Sequence, residues 1–397
     1  MSTFYLPEEL VVNILSRLLP KTLIRFRCVS KTWLALIGTL DFVSENILNH
    51  SILATKSQNP NPQLLLVKST IQPRCDKHTY SFLSYDTLLD CGFRIPLNLP
   101  LRPVLRHHWN LPYPTPYLNL NIVASCDGLL CLYDYTRHSN IYLWNPFNAA
   151  TPTELEVLPP MTRGHYMLND KFVGFGFDSR SNDFKIVRIY SDCVAECMAG
   201  LTRKLYPGEV GIRKGVGVYS LSSGSWRQVE HDPKMISGIL PYRHMTAYMN
   251  GLFFWLTVDE VDYNDNRIVA FDFSTEVFNM TPLPDKSVIG LWRSLLVLNG
   301  FIAMVIYSSV SDNSGFDIWV LLEFGVKESW TKLITIDPSL GLKRPLLFWK
   351  SGQILMENTK GQLVLYDPFT QAIKNVQLDG HKGSVRVVPY TLSLVNA

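Results

Sequence analysis

Leu6-Pro7-Glu8-Glu9-Leu10, followed through Pro20 and Lys31-Thr32-Trp33 to Asp41-Phe42, is the one helical, leucine-dense stretch in a chain of 397 residues that otherwise reads as strands. Pro7 suits the first turn of a helix, where a missing N–H costs nothing, and Glu8 and Glu9 complement the positive end of the helix dipole. Leu10, Val11, Ile14, Leu15 and Leu18 recur at helical spacing, and Pro20 breaks the run. Leu23, Ile24 and Phe26 begin a second short helix. Val29, Trp33, Leu34, Leu36 and Ile37 supply a third that Gly38 ends, and Asp41 can cap a fourth carrying Phe42, Val43, Ile47 and Leu48.

About forty residues rarely bury enough surface to stand alone without disulfides, metal or a partner. Cys28 is the only thiol in this block, so a disulfide is excluded. The surplus of large apolar side chains therefore predicts a partner surface made of helices.

Composition narrows the function classes. A net charge of +3 on this length gives no bulk attraction to nucleic acid or acidic membranes, and 47% hydrophobic residues argue for a folded chain. Seven scattered cysteines, an odd number, read as reduced thiols of an intracellular protein in cytosol or nucleus. No apolar N-terminal leader is seen, and the longest apolar stretch, Leu295 to Val310, is broken by Asn299-Gly300 and too short to span a bilayer.

Beyond the helical block, Ser57 to Gln63 is polar, proline-bearing and apolar-poor, which marks a linker over 51–63. Leu64 to Val67 and Tyr80 to Tyr85 are strand candidates. Pro96 through Pro116 reads as surface loop, because each proline removes a ladder donor. From Asn121 on, apolar runs alternate with the dipeptides Asp127-Gly128, Asn250-Gly251, Asn299-Gly300 and Ser351-Gly352, which suit tight hairpin turns. Gly251 to Gly300 spans 49 residues and Gly300 to Gly352 spans 52. Gly128 to Gly251 spans 123, and without a 24-residue basic, glycine-bearing insertion at 191–214 that becomes 99, or two such periods. Trp144-Asn-Pro146, Phe271-Asp-Phe-Ser-Thr275 and Tyr366-Asp-Pro-Phe-Thr370 are a second marker. The expectation for 64–397 is a kelch-like propeller of about six blades, with Val385, Val387 and a strand over 390–395 closing against the first strands.

The chemistry sought is mostly absent. Cys126, Cys131, Cys193 and Cys197 lack the tight spacing of a zinc site and read as small apolar residues. Asp262 to Asn266 fails as a calcium loop, with Arg267 where glycine is required and Phe273 where glutamate is. Gly174-Phe-Gly176 and Gly215-Val-Gly217 do not continue into a nucleotide fingerprint. Trp144, Trp226, Trp319 and Trp330 read as core, Arg203-Lys204 and Arg213-Lys214 as a solvated loop. No catalytic set, metal site or cofactor is expected.

The motifs do match a known family. Leu6-Pro-Glu-Glu-Leu10, Ile14-Leu-Ser-Arg-Leu18, Pro20 through Trp33, and Leu36-Ile37 with Phe42 resemble an F-box. One departure is Leu19, since the plant family more often has proline directly after the counterpart of Leu18. Cys126-Asp-Gly-Leu-Leu-Cys131, Trp144-Asn-Pro146, Gly174-Phe-Gly-Phe-Asp178, Asp183-Phe-Lys-Ile-Val187 and Val218-Tyr-Ser-Leu221 with Trp226 resemble the F-box-associated, kelch-like region of plant F-box proteins. The resemblance implies a small all-α F-box at 1–50 and a β-propeller-like substrate-recognition domain at 64–397. It implies a non-catalytic adaptor of a Skp–cullin–F-box ubiquitin ligase that contacts a Skp-family linker protein, through it a cullin and RING subunit, and a protein target of unknown identity. Linker contacts would fall on Leu6, Pro7, Leu10, Ile14, Leu15, Leu18, Pro20, Leu23, Val29 and Trp33. The pattern is also similar to pollen S-locus F-box proteins, which recognise S-RNases in self-incompatibility, and to defence regulators. A propeller enzyme with a fused docking module and a non-degradative interaction protein stay open as other classes.

Overall fold

The structure, a computed structural model, describes residues 7–18, 22–23, 26, 28–37, 42, 64–70, 78–84, 87–88, 90–96, 120–134, 140–148, 152–155, 165–194, 212–236, 246–257, 266–284, 292–298, 301–307, 315–349, 353–368, 370–379, 385–393 and 395. Among the described residues the α-helices lie at the start, and two single 3-10 turns, Lys327–Ser329 and Pro338–Leu340, come late. The first runs Glu8–Leu15 with Pro7 as its N-cap, one position earlier than the first-turn place expected for it. A later helix covers Lys31–Ile37. It starts after Ser30, whose hydroxyl accepts the Trp33 N–H at 3.1 Å, so capping sets a start two residues beyond Val29.

The remaining elements form six antiparallel sheets of four strands each. The expected count of about six is thus met sheet by sheet. Two compact units divide the chain: one holds the helical block with the first two sheets, the other the third to sixth.

In the first unit, strands Leu64–Thr70, His78–Ser84 and Asp90–Pro96 take their fourth member from the far end of the chain, Arg386–Tyr390. Leu64 pairs with Tyr390 and Lys68 with Arg386. Two expectations change here. The strand Asp90–Pro96 was not foreseen, because Pro96 reads as the start of a loop; proline is tolerated at the end of an outer strand. The strand expected over 390–395 stops at Tyr390, and the segment beyond it is held by side chains instead. Asn145 Nδ2 donates to the carbonyls of Ser393 at 3.1 Å and Val395 at 2.8 Å, and its Oδ1 accepts the Phe147 N–H. The Tyr390 hydroxyl lies 2.8 Å from the Gly128 carbonyl and 2.9 Å from Asn145 Oδ1, two acceptors for one proton. Gly128 sits at φ +82°, and a Cβ there would come within 2.2 Å of Ser393 Cβ. Glycine is required twice over, by backbone hand and by space. Below this knot, Leu66, Tyr80, Phe82, Leu130, Leu132, Tyr142 and Trp144 form one buried cluster.

In the second unit the middle strands are buried along both faces. Phe253-Phe254-Trp255-Leu256, Ile354-Leu355-Met356 and Leu363-Val364-Leu365-Tyr366 are continuous buried runs. Outer strands such as Ser225–Gln228 and Trp330–Ile336 are largely exposed. That gradient gives apolar runs without alternation in the middle and polar-rich edges outside. Asn250 and Gly251 both adopt positive φ, as the hairpin dipeptide demands, and Asp127-Gly128 does the same in the first unit. Asn299-Gly300 and Ser351-Gly352 lie outside the described residues.

The insertion expected at 191–214 is shorter than its limits suggested. Strand Asp183–Val194 and strand Ile212–Ser220 run through both of its ends, paired in register from Lys185 with Ser220 to Cys193 with Ile212. Residues 195–211, with Arg203-Lys204, lie outside the described residues, as do the linker 51–63 and the proline-rich passage 97–119.

Removing the knot at the chain end has a defined cost. Tyr390→Phe should lower stability by roughly 1–3 kcal/mol, the usual cost of leaving a buried acceptor unmet. Asn145→Ala, which strips two carbonyls and one N–H of partners, should cost more; thermal melts of both variants beside wild type check the order.

Candidate functional site: two docking faces

No catalytic constellation forms among the described residues, and none of their His, Cys, Asp and Glu side chains group into a metal site. What the fold offers instead is a pair of surfaces, one on the helices and one where turns meet.

On the helical block, Leu10 and Ile14 are i and i+4 neighbours on one face of the first helix, each half or more exposed. Val29 and Leu34 are exposed to the same degree around the later helix. Leu15, Leu23, Ile37 and Phe42 are buried. Trp33 is half-buried, its ring 5.5 Å from that of Phe26. The ten residues named for a linker protein therefore separate by environment. Leu10, Ile14 and Val29 face solvent, as does Pro7; Leu18 and Trp33 are intermediate; Leu15 and Leu23 pack inside; Leu6 and Pro20 lie outside the described residues. Four large apolar side chains are thus about half exposed or more among the described residues of this block.

Among the strands, the residues expected as core largely are. Trp144 and Trp330 are buried, Trp226 and Trp319 half-buried, with Trp226 against Tyr219 at 5.3 Å. Cys126 and Cys131 are buried and outside any disulfide, and burial pushes the Cys131 thiol far up, away from reactivity. The glycines of Gly174-Phe-Gly176 take side chains of the neighbouring fourth sheet: a Cβ on Gly176 would meet Phe273 and Tyr248 at 2.4 Å.

At the end of that glycine-bearing strand lies a charge cluster that the sequence did not announce. Lys185 Nζ contacts Asp178 Oδ2 at 2.7 Å, Glu276 Oε1 at 2.8 Å and the Phe273 carbonyl at 3.2 Å. Arg227 also pairs with Glu276. Asp178 further accepts from the Ser181 hydroxyl at 2.5 Å and the Arg180 N–H at 2.9 Å. Burial opposes ionisation of Asp178, yet bonds from Lys185, Ser181, Arg180 and Ser274 hold its carboxyl well below the usual range. Glu276 is likewise held down, by Arg227 and Lys185 against burial, and the two carboxylates hold the Lys185 amine up. No signal in one dimension joins positions 178, 185, 227 and 276.

A short helical block with exposed apolar side chains, followed along the chain by six four-stranded sheets, is a two-module arrangement. The comparisons identify the family. The F-box domain family matches residues 4–45, and the F-box associated beta propeller domain family matches residues 97–392. The chain belongs to the F-box proteins with an F-box-associated β-propeller, and its six sheets are the blades. An F-box implies binding to Skp1-type proteins. The chain is 28% identical to F-box protein At3g07870 of Arabidopsis thaliana over 94% of its own length and 88% of that protein's. It is 25% identical to F-box/kelch-repeat protein At3g23880 from the same plant, over 91% and 87%. F-box protein CPR1 of Arabidopsis is 25% identical over 91% and 82%. Among solved structures, a Mycobacterium tuberculosis puromycin-hydrolyzing peptidase is similar at a TM-score of 0.40 and 11% identity, over 79% of this chain and 46% of that one. That likeness is too slight to carry an activity across.

The charge cluster sets a pH dependence. Asp178 and Glu276 have folded pKa values depressed below unfolded values of roughly 3.9 and 4.3, so their contribution is present above those values and is lost as pH falls through the folded ones. Denaturation midpoints should hold between pH 7 and 5 and drop below about pH 4. In Asp178→Asn with Glu276→Gln that acid-side drop should be visibly shallower.

Proposed function

We propose that this chain is the substrate-recognition subunit of a Skp–cullin–F-box ubiquitin ligase, with the F-box at 1–50, a linker at 51–63 and the target-binding domain at 64–397. The observation that carries this reading is the exposure of Leu10, Ile14, Val29 and Leu34 within the F-box match. The chain performs no chemistry of its own. Held between a ligase scaffold and a target, it raises the effective concentration of a target lysine beside the ubiquitin thioester, which is a contribution of proximity. Cullin and RING subunit join through the linker protein, and the complex works in cytosol or nucleus. Turns at the sheet ends bind the target, because loops on a rigid scaffold can vary without loss of fold.

Full burial of a leucine or isoleucine is worth about 1.5–3 kcal/mol, and Leu10 and Ile14 are already half covered, so hiding the remainder is worth roughly 1 kcal/mol each. Leu10→Ala with Ile14→Ala should weaken binding to a purified Skp-family protein roughly 30-fold, the equivalent of about 2 kcal/mol. The far-ultraviolet spectrum and melting of the β domain should not change. Undiminished binding would remove the helical face from the interface. In native tissue with cullin activity blocked, proteins captured by the wild-type chain should accumulate; captured partners whose levels stay constant would point to an interaction protein outside degradation.

A further inference from the structure

The turn that carries Glu276 has a sibling. In the fourth sheet Asp272 opens a turn whose fifth residue, Glu276, sits at φ +59°, and in the sixth sheet Asp367 opens one whose fifth residue, Gln371, sits at φ +58°. Asp272 Oδ1 accepts the Ser274 and Thr275 N–H groups, and Asp367 Oδ1 accepts that of Thr370. Both turns close by the same backbone bonds, Asp272 N–H to Val277 and Asp367 N–H to Ala372. Turn geometry therefore does not call for an acid at this place, and a left-handed conformation disfavours any residue other than glycine or asparagine. Gln371 points to solvent, whereas the Glu276 side chain is only 15% exposed and lies between two cations of the third sheet. The acid is explained by what it holds.

We propose that Lys185 is the keystone of a lock between the third and fourth sheets, one that opens locally and as a unit while the sheets themselves stay folded. The arrangement supports this in two ways. Under the lock, the seam is packed by aromatic side chains of the fourth sheet, Phe253 and Trp255 at Gly174, Tyr248 and Phe273 at Gly176, and none of that packing needs a charge. The lock itself is a set of groups at the end of the seam, all converging on one ammonium. The other charged groups at this end are already engaged or turned outward. Asp183 accepts from Ser220 and Ser222, Asp272 is occupied by the turn amides, Arg227 is half exposed and Arg180 is exposed. With the ammonium removed, Asp178 and Glu276 confront one another in a site that excludes most water, and the strained turn has reason to lift.

The test is hydrogen–deuterium exchange on the full-length chain at neutral pH. Lys185→Met keeps the length of the side chain and deletes the charge. Exchange should quicken at least tenfold in segments 174–186 and 270–282 and stay unchanged in 316–336 of the fifth sheet. Adding Glu276→Gln, which relieves the facing carboxylates, should recover part of the lost protection. Equal acceleration in all three segments would show that Lys185 serves global stability only, and no acceleration would show that the cluster holds nothing; either result overturns the proposal. Should Lys185→Met fail to fold, Glu276→Gln alone, which weakens the fourth-sheet partner of Lys185, takes its place, with about threefold acceleration confined to 270–282 as the supporting result and none as the opposing one.

Discussion

Burial of the middle strands on both faces is the constraint on which the rest of the β domain depends. A strand such as Leu252–Thr257 or Gln362–Tyr366 has no solvent side, so its sheet must be covered front and back by other sheets. A four-stranded sheet with such a middle cannot stand by itself, and repetition of the unit is the solution. The outer strands then carry the polarity, and the turns at the sheet ends are left free to differ. Specific recognition can vary on those turns at little expense to the core.

The helical block follows the opposite rule. Among its described residues Leu15, Leu23, Ile37 and Phe42 are buried, while Leu10, Ile14, Val29 and Leu34 stay exposed. Such a module gains by association what it cannot gain by folding. One chain thus joins a short helical block with four exposed apolar side chains to a larger β domain whose exposed ones, such as Val277, Leu322 and Leu333, fall on outer strands and turns.

Much of this was legible in one dimension, where the signal is local. Asp127-Gly128 and Asn250-Gly251 named their turns because positive φ restricts the residues that can occupy them, and the aspartate or asparagine after Trp144, Phe271 and Tyr366 marked a repeated turn whose side-chain bonds the structure displays. The helical spacing of Leu10, Ile14 and Leu15 identified a helix but not which leucines stay outside, since periodicity fixes a face and not its occupant. Limits drawn from composition failed at both ends of 191–214, where polar and glycine residues continue paired strands. Pro96 concealed a strand for the same reason. The Lys185 cluster was invisible, because its members come from separate turns and strands and each taken singly reads as a solvated surface charge.

The first sheet cannot be completed until Arg386–Tyr390 arrives to lie beside Leu64–Thr70. During synthesis the ribosome delivers the F-box more than three hundred residues before that strand. The helical block of a nascent chain is therefore complete while its first blade is still one strand short.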